Sequence, residues 1–300
     1  MIEMLHASWS QLSGSPVLRW AVIFGVLNFI GSRIPVFRAN KIQPGLFRAE
    51  QAIKEIVLIT VSGAFGAFFL GAFTAWLTSH GWVHANSAHA SWWVVLLEFA
   101  VFAVLFDTWF YWWHRLMHVE PIYTIVHRWH HTSMTPTVIS TMNVSPIEAL
   151  INGGFVPLFT SLALLSGLPI HEASLPLIGG SGALVGFWIH CGHEFLPRWW
   201  NKSWATKWMI TATFHDQHHQ YYRYNYSGFT TIWDRLCGTM RPKYEHDFAN
   251  PRSRKQEERR KLAKAEERAR QQDGDFGPRL SWSPGKRQPL TAVSPEAQGA

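Results

Sequence analysis

The sequence contains little cysteine and little charge. Two of its 300 residues are cysteines, Cys191 and Cys237, and they lie far apart in the chain. Two distant cysteines exclude a disulfide framework and lack the spacing of a zinc-binding pair, so we expect reduced thiols. Only 16% of the residues are charged. The sequence also lacks a GxGxxG segment after a strand and a P-loop, so no common nucleotide-binding signature is present.

Apolar residues, in contrast, are abundant in the first two thirds of the chain. Runs near residues 17–36, 54–79 and 92–113 are long enough to cross, as helices, a hydrocarbon core about 30 Å thick. Two weaker candidates lie near 147–168 and 175–190, the second short and interrupted by GGSG. We therefore predict an all-α fold with multi-pass transmembrane helices.

Lysine and arginine indicate the orientation of these helices. With the N-terminus placed outside, every lysine and arginine except Arg19 falls on one side, including the loop 35–54 and everything after Arg198. Cytoplasmic loops collect basic residues, so this side is predicted to be cytoplasmic. The same asymmetry, with attraction to anionic lipid headgroups, accounts for the net charge of +7. No basic stripe interleaved with stacking aromatics indicates nucleic-acid binding.

Composition divides the chain into three regions. Residues 1–91 form an N-terminal transmembrane region with two predicted spans, and residues 92–244 contain the other spans. Two stretches of this middle region, 114–146 and 191–244, are too polar for lipid and too aromatic for disorder, so we expect them to form a cytoplasmic helical cap. The last region, 245–300, is a basic, charged tail predicted to be a solvated helix or disordered.

Histidine is the residue type that points to chemistry. Ten of the 16 histidines fall into four tight groups. These groups are HRLMH (His114, His118), HRWHH (His127, His130, His131), HCGH (His190, His193) and HDQHH (His215, His218, His219). Positions i, i+3 and i+4 share one face of a helix, so HxxxH and HxxHH each direct at least two imidazoles to one point. One metal ion accepts at most about six ligands, so this many imidazoles imply two metals in a histidine cage.

The histidines alone leave the metal open, because imidazole suits zinc, copper, iron and nickel. A closed structural zinc site would typically recruit cysteine. A two-metal hydrolytic site would usually add bridging carboxylates. Few carboxylates lie beside the histidines in the sequence, and Asp216 is the nearest. An all-histidine dinuclear site beside a lipid-accessible region fits oxygen chemistry better. Four other histidines are predicted on the opposite side of the membrane, in solvated loops: His80, His84, His89 and His171.

Six motifs occur in a fixed order between about residues 96 and 239. They are DTWFYWWHRLMH, HRWHH, SPIEAL, HCGHEFLP, FHDQHH and NYSGFTTIWDRLCGT. Together they resemble the fatty acid hydroxylase and sterol desaturase superfamily of integral-membrane di-iron enzymes. The resemblance implies that residues 92–244 are a fatty acid hydroxylase-like catalytic domain. It further implies a protein that uses O₂ and two externally supplied electrons to hydroxylate or desaturate a C–H position of a membrane lipid.

The resemblance also implies the ligands of two iron ions. They are the eight histidines of the HxxxH and HxxHH motifs, together with His190, which matches the remaining family histidine. His193 lies where the family is less uniform, in HxGYE or HxGHE forms, and completes the candidate set.

Three polar residues are candidates to support the ligands. Asp107 precedes His114 by about two helical turns, and a carboxylate there can receive an imidazole N–H and select the tautomer. The alternative for Asp107 is an ordinary interfacial charge, although an acid inside an apolar span is costly and usually functional. Glu148 lies in SPIEAL. Asn225, which resembles the Asn of the family's NYG motif, is a candidate to orient a ligand or water.

The expected partners follow from the same reasoning. No HPGG-type haem segment of a fused cytochrome b5 occurs, so electrons are expected from a separate ferredoxin or cytochrome b5 type donor with its reductase. The predicted location is a bacterial inner membrane or the endoplasmic reticulum, with the site on the cytoplasmic side. The alternative is a membrane metalloenzyme or metal-binding protein of other chemistry. The residues leave open the lipid (sterol, fatty acyl or related), hydroxylation against desaturation, and the oligomeric state.

Overall fold

The computed structural model describes residues 33–42, 49–133 and 136–250, together with Val26. Over these residues the chain is helical and contains isolated bridges but no β-strand, which confirms the predicted all-α class. The α-helices are α1 (Pro35–Asn40), α2 (Ala49–Ser79), α3 (Trp92–Met117), α4 (Arg128–His131), α5 (Pro146–Leu165), α6 (Leu175–Ile189), α7 (Ala212–Gln220), α8 (Ile232–Leu236) and α9 (Tyr244–Ala249). A π-helical turn, Tyr123–His127, precedes α4, and 3-10 turns cover Ile139–Met142 and Glu172–Ser174.

Within the described residues, four helical segments are long and apolar enough to cross a membrane. They are Lys54–Ser79, Trp92–Met117, Pro146–Leu165 and Glu172–Ile189. These segments coincide with four of the five runs predicted from the sequence. The fifth run, 17–36, lies outside the described residues apart from Val26 and its end from residue 33, and so does the tail from residue 251.

Aromatic rings form the core between the apolar helices. Phe102 and Phe106, one turn apart on α3, pack against Phe155 and Phe159 on α5, and Ile178 of α6 joins the same cluster. The ring centroids of Phe102 and Phe159 are 5.3 Å apart, edge to face, and those of Phe106 and Phe155 are 5.5 Å apart. Such pairs add to the energy of apolar burial, so α3, α5 and α6 are held together on these faces.

Small residues allow α2 to lie close to α5. A Cβ added to Gly153 would lie 2.8 Å from Leu70 Cδ2, so a larger residue there would require the Leu70 side chain to move. One helical turn away, a Cβ on Gly66 would touch Ala149 at 3.6 Å. Close backbone approach through small residues is how helices associate where surrounding lipid removes the hydrophobic driving force.

A second core lies in the cap, around α7. This helix is polar in sequence, ATFHDQHHQ, yet every residue from 212 to 219 is buried. Its first turn is capped twice, because Thr211 Oγ1 accepts from the Phe214 N–H and Glu194 Oε2 accepts from the Thr213 N–H. Tyr244 and Phe248 of α9 pack against Phe214, so α9 closes the cap over this helix.

The start of α5 is also specified locally. Ser145 is the N-cap residue, and its side chain accepts a hydrogen bond from the Glu148 N–H at 3.1 Å. Pro146 follows at the first helical position, where its missing N–H costs nothing. This SPIE sequence therefore places Glu148 in the first turn of the helix, where the bundle meets the cap.

Candidate metal centre

Nine of the ten predicted histidines converge in two groups, in each of which the ligand atoms lie within 4.8 Å of one another. The first group consists of His114, His118, His127, His131 and His218. The second group consists of His130, His190, His215 and His219. Among the described residues, no carboxylate or thiolate belongs to either group.

The two HxxHH motifs are divided between the groups in the same way. In HRWHH, His127 and His131 join the first group, whereas His130 joins the second. In HDQHH the pair His215 and His219 joins the second group, whereas His218 joins the first. In each motif the histidines at i and i+4 thus belong to one group, and the histidine at i+3 belongs to the other. This exchange ties the two groups to the same pair of short helices, α4 and α7.

The spacing of the imidazole nitrogens fits metal coordination. The Nε2 atoms of His131 and His218 are 3.0 Å apart, and those of His190 and His215 are also 3.0 Å apart. Two nitrogens bound about 2.1 Å from one ion, at an angle of about 90°, are separated by about 3.0 Å. Pairs in both groups therefore have the separation of ligands that share an ion.

Backbone carbonyls select the tautomer of two histidines in the first group. His114 Nδ1 lies 2.5 Å from the Tyr226 carbonyl, and His218 Nδ1 lies 2.7 Å from the Tyr224 carbonyl. A carbonyl only accepts, so each Nδ1 carries the proton and each Nε2 presents a lone pair. Metal-bound histidines almost always have such a partner on the second nitrogen.

The second group is oriented in the same manner. His190 Nδ1 donates to the Gly186 carbonyl at 2.8 Å, and His130 Nδ1 donates to the Asn143 carbonyl at 3.3 Å. Their Nε2 atoms then face each other 3.4 Å apart, with no proton between them. Two lone pairs in this arrangement repel unless a cation lies between them, so the donor set fits a metal.

His118 gives an independent test of the fit. It follows α3 directly, and its ring packs against those of His114, His127, His131 and His218. Neither of its ring nitrogens has a hydrogen-bond partner among the described residues, although both are buried. Buried polar atoms without partners are rare in native proteins. A metal ion in the first group would satisfy this imidazole.

Burial keeps the histidines neutral. Desolvation lowers the pKa of His130 to about 4 and that of His190 to about 3. Burial, followed by repulsion from neighbouring imidazoles, also lowers the pKa of the other site histidines outside the apolar helices: His118, His127, His131, His215, His218 and His219. Neutral imidazole is the form that binds metal, so the site is ready for ligation at physiological pH.

Glu148, one of the three candidate supporting residues, lies beside the first group. Its Oε2 is 2.9 Å from Nδ1 of His127, and both side chains are buried. A carboxylate on the outer nitrogen of a histidine orients the ring and raises its basicity. Among the described residues, Glu148 is the acid that contacts a histidine of either group.

Asn225 acts on the first group through its neighbours. Its backbone has φ 61°, in the left-handed region, where Asn is tolerated better than most residues. The side chain holds this conformation by donating to the Phe214 carbonyl and accepting from the Arg241 N–H. The residues on either side, Tyr224 and Tyr226, are the ones whose carbonyls receive the two imidazole protons. Asn225 therefore positions both carbonyls.

Asp107 has a different set of partners. Its carboxylate accepts from the N–H groups of Phe229 and Thr230 at 2.8 and 3.2 Å, and from the Thr230 hydroxyl at 2.5 Å. These bonds tie the segment that follows Tyr226 to α3. The structure thus places Asp107 as an anchor for that segment, and its carboxylate is not directed to His114.

His193 lies outside both groups. Its Nδ1 donates to the Cys191 carbonyl at 2.8 Å, and its backbone forms a bridge with Lys41. The adjacent Gly192 carbonyl accepts from the Ile42 N–H at 2.9 Å. The segment around His193 therefore attaches residues 40–42 to the cap.

Two buried acids support the site without having been recognised from the sequence. Asp234 accepts from the N–H groups of Tyr226 and Ser227 at 2.9 and 2.8 Å, which fixes the loop that carries the His114 partner. Glu55, on α2, accepts from the Ser133 hydroxyl at 2.5 Å, just beyond α4. In sequence, Glu55 resembles an ordinary charge at a helix start, because Lys54 precedes it. Only its burial distinguishes it.

A cavity of about 400 Å³ leads from the apolar helices to the histidines. It is lined by side chains from α2, α3, α5 and α6, with phenylalanines from α3 and glycines from α2 and α6. Histidines of both groups reach it: His114 and His127 from the first, and His130, His190 and His215 from the second. An apolar molecule in this cavity would therefore lie against both groups.

Comparison with known proteins gives a family. A family model described as "Fatty acid hydroxylase" matches residues 99–239. A Delta(7)-sterol 5(6)-desaturase from Candida dubliniensis is 26% identical over 239 residues, 78% of this chain and 55% of the relative. A methylsterol monooxygenase from Aspergillus fumigatus is 31% identical over 151 residues, 48% of this chain and 46% of the relative. Human cholesterol 25-hydroxylase is 25% identical over 258 residues, 78% of this chain and 87% of that protein.

The chain spans about half the length of the first two of these relatives. No solved structure matches it. The matched region contains every histidine of both groups and extends through Thr239, which confirms the resemblance drawn from the six motifs. Residues 99–239 therefore match the fatty acid hydroxylase family model, and together with the sterol-modifying relatives this match supports the fatty acid hydroxylase and sterol desaturase superfamily as the family of the chain.

Proposed function

We propose that this protein is a membrane-bound oxidoreductase that uses O₂ to hydroxylate or desaturate a C–H position of a membrane lipid. In the proposal, two iron ions are held by the nine histidines of the two groups. Residues 92–244 are the catalytic domain, residues 1–91 an N-terminal membrane region and residues 245–300 a tail. The cap faces the cytoplasm of a bacterial cell, or lies on the cytoplasmic face of the endoplasmic reticulum.

The observation that carries the proposal is the convergence of two imidazole groups at one end of an apolar cavity. When bound, the iron pair would supply the activation of O₂ and accept electrons one at a time, which zinc cannot do. The names of the relatives support lipid oxidation, since they describe a sterol desaturase, a methylsterol monooxygenase and a cholesterol hydroxylase. A sterol is therefore the first substrate to test.

The chain's own residues perform three tasks in this proposal. The Nε2 lone pairs hold the metals, and carbonyls such as that of Tyr226 hold the outer ring protons in place. Glu148 Oε2 faces the Nδ1 atom of His127 and keeps that ring oriented. Phe102, Phe106 and the glycines of α6 shape an apolar cavity that accepts the lipid and excludes water.

The overall reaction balances with one O₂, two electrons and two protons. In hydroxylation, one oxygen atom enters the C–H bond and the other leaves as water. In desaturation, the lipid loses two hydrogens and both oxygen atoms leave as water. The electrons come from a separate donor, of the ferredoxin or cytochrome b5 type, which would dock at the basic cytoplasmic face.

The first experiment measures metal content and Mössbauer spectra on protein purified from cells grown on iron-57. We expect about two irons per chain, as nine imidazoles require. His218→Ala should perturb the first group and His219→Ala the second, so each should remove or alter one iron. His171→Ala is the matched control, because His171 lies outside both groups and contacts Glu98. His193→Ala tests the tenth candidate, and retention of both irons would exclude it as a ligand.

The second experiment tests the reaction. Membranes containing the protein, an electron donor and a sterol mixture are incubated under ¹⁸O₂, and the extracted lipids are analysed by mass spectrometry. A gain of one ¹⁸O atom identifies hydroxylation, and a loss of two hydrogens without ¹⁸O identifies desaturation. The metal analysis of the first experiment can also contradict the proposal. A single zinc ion, or iron unaffected by either histidine variant, would favour a metal-binding protein of other chemistry.

A further inference from the structure

The segment after Gly228 packs against α3 about two to three turns before the C-terminal end of that helix. Trp233 Nε1 donates to Thr108 Oγ1 at 3.1 Å, and the rings of Trp233 and Trp112 are 5.8 Å apart, edge to face. Thr108 lies nine residues before Met117, the last residue of α3, which is about 13 Å along a helix axis. α3 has 26 residues, about 39 Å, against a hydrocarbon core of about 30 Å. Centred in a bilayer, α3 would place Thr108 about 5–10 Å inside the cap-side boundary.

Backbone that enters lipid needs partners within the protein. At this depth the N–H groups of Phe229 and Thr230 are both satisfied by the Asp107 carboxylate. The N–H of Thr231 donates to the Trp208 carbonyl. An acid inside an apolar helix is costly, and these hydrogen bonds offset the cost of burying the Asp107 carboxylate. Asp107 is therefore where irregular backbone is docked onto a membrane helix.

The surface of this docked region is apolar. On α8, Leu236 is 73% exposed and Ile232 is also exposed. Met209 is 53% exposed, and its backbone forms a bridge with Thr230, two residues before the start of α8. The ring of Trp208 is partly exposed next to Met209. We name Trp208, Met209, Ile232 and Leu236 the cap wedge.

Two cations border the cap wedge. Lys207 Nζ lies 4.7 Å from the centre of the Trp208 ring, and the Arg235 guanidinium lies 5.7 Å from it. Arg235 also pairs with Glu245 at 3.3 Å. Tryptophan with long basic side chains at the edge of an apolar surface is typical of the membrane–water interface, where the cations reach the headgroups.

We propose that the cap wedge inserts into the cap-side leaflet at the boundary between headgroups and acyl chains, with Lys207 and Arg235 meeting anionic headgroups. Its partner is the bilayer itself. The depth estimated from Thr108 matches the 5–10 Å to which interfacial elements bury their apolar faces. Ile232 of the cap wedge and the carbonyl that accepts the His114 proton lie in one segment, because Tyr226 precedes Ile232 by six residues. Lipid contact at the wedge therefore restrains the loop that orients His114.

The test is photo-crosslinking from residue 236 in the full-length protein, with metal bound. Benzoylphenylalanine replaces Leu236, the protein is reconstituted into vesicles of phosphatidylcholine and phosphatidylglycerol, and adducts formed on illumination are identified by mass spectrometry. The same probe at Val104, which is exposed on α3, is the lipid-facing control. The probe at His246, on the exposed surface of α9, is the control for a water-facing cap residue.

We expect lipid adducts at positions 236 and 104 and none at 246. In Lys207→Gln, the share of phosphatidylglycerol among the adducts at 236 should fall by up to about fivefold, corresponding to about 1 kcal/mol for one basic residue at the surface. Lipid adducts at 104 without any at 236 would overturn the proposal. A protein–protein adduct at 236 would also overturn it, and would assign the wedge to a second copy or another protein. Crosslinking needs no turnover, so its outcome is independent of the proposed reaction.

Discussion

Glu148 Oε2 and His127 Nδ1 lie 2.9 Å apart, and the glutamate is only 3% exposed. The pair brings the first turn of α5 into contact with the first histidine of HRWHH, so one of the long apolar helices touches the histidine site. The remaining nitrogen of His127, Nε2, lies 3.0 Å from Nε2 of His114. The carboxylate therefore acts on the first group through one imidazole.

Replacing Glu148 by alanine should weaken metal binding in the first group. Loss of a carboxylate on the outer nitrogen of a ligand typically costs about 10–100-fold in metal affinity or activity. Glu148→Gln keeps an acceptor in place and should restore part of that loss. The measurement is iron retention against a chelator series, with Glu245→Gln as a control on a largely exposed acid. Equal retention in Glu148→Ala and the native protein would contradict the assignment.

Removing the Glu55 carboxylate should disturb the second group from a distance. Glu55 accepts from Ser133, Ser133 accepts from Asn143 Nδ2 at 3.2 Å, and the Asn143 carbonyl receives the His130 proton. Glu55→Ala leaves these buried groups short of a partner, at a cost of about 1–3 kcal/mol in the free energy of unfolding. Glu55→Gln retains an acceptor and should rescue both stability and the Mössbauer signal. A stability loss without a spectral change would mean that the chain of bonds serves folding alone.

Acid should destabilise the metal-free protein. The pKa values of His130, about 4, and His190, about 3, lie below the 6.5 of an unfolded chain. Below pH 6.5 the unfolded state therefore binds more protons than the folded state, and the free energy of unfolding falls as the pH falls. Between pH 7 and pH 5 each such histidine should cost about 2 kcal/mol. Unfolding temperatures in detergent check this, and a flat profile over that range would refute it.

A side chain added at Gly182 should obstruct the cavity. Gly182 lines it, whereas Gly180, on the same helix, does not. A Cβ on either glycine would meet no atom within 4 Å, so both positions accept substitution. Gly182→Leu should lower kcat/KM for a bulky lipid by about tenfold or more, whereas Gly180→Leu should not. Metal content checks that both variants keep the site, and equal activity losses would show that the cavity does not hold the substrate.

Local patterns in the sequence were enough for the helical class, four apolar spans and the family. Each of these depends on short-range order: hydropathy over about 20 residues, or histidine spacing within one or two turns. The same spacing indicated that HxxHH directs imidazoles to one point. It could not show that His130 and His218 cross between the groups, because that depends on how α4 and α7 face each other.

The buried acids show the same limit more clearly. Asp107 stands two turns before His114, so the sequence favoured a contact between them, yet its partners lie more than 120 positions away at Phe229 and Thr230. Glu55 looked like an ordinary helix-start charge until the fold buried it against Ser133. His193 has motif spacing, but its backbone pairs with Lys41 instead.

Side-chain chemistry and local periodicity were therefore enough to identify the residues capable of ligation and the segments long and apolar enough to cross a membrane. The grouping of the histidines, the acids that support them and the contact of Trp208 with Arg235 of α8 follow from the tertiary structure alone. The physical reason is that hydrogen bonds and ligand separations act over about 3 Å. Positions distant in sequence reach that range only when helices pack.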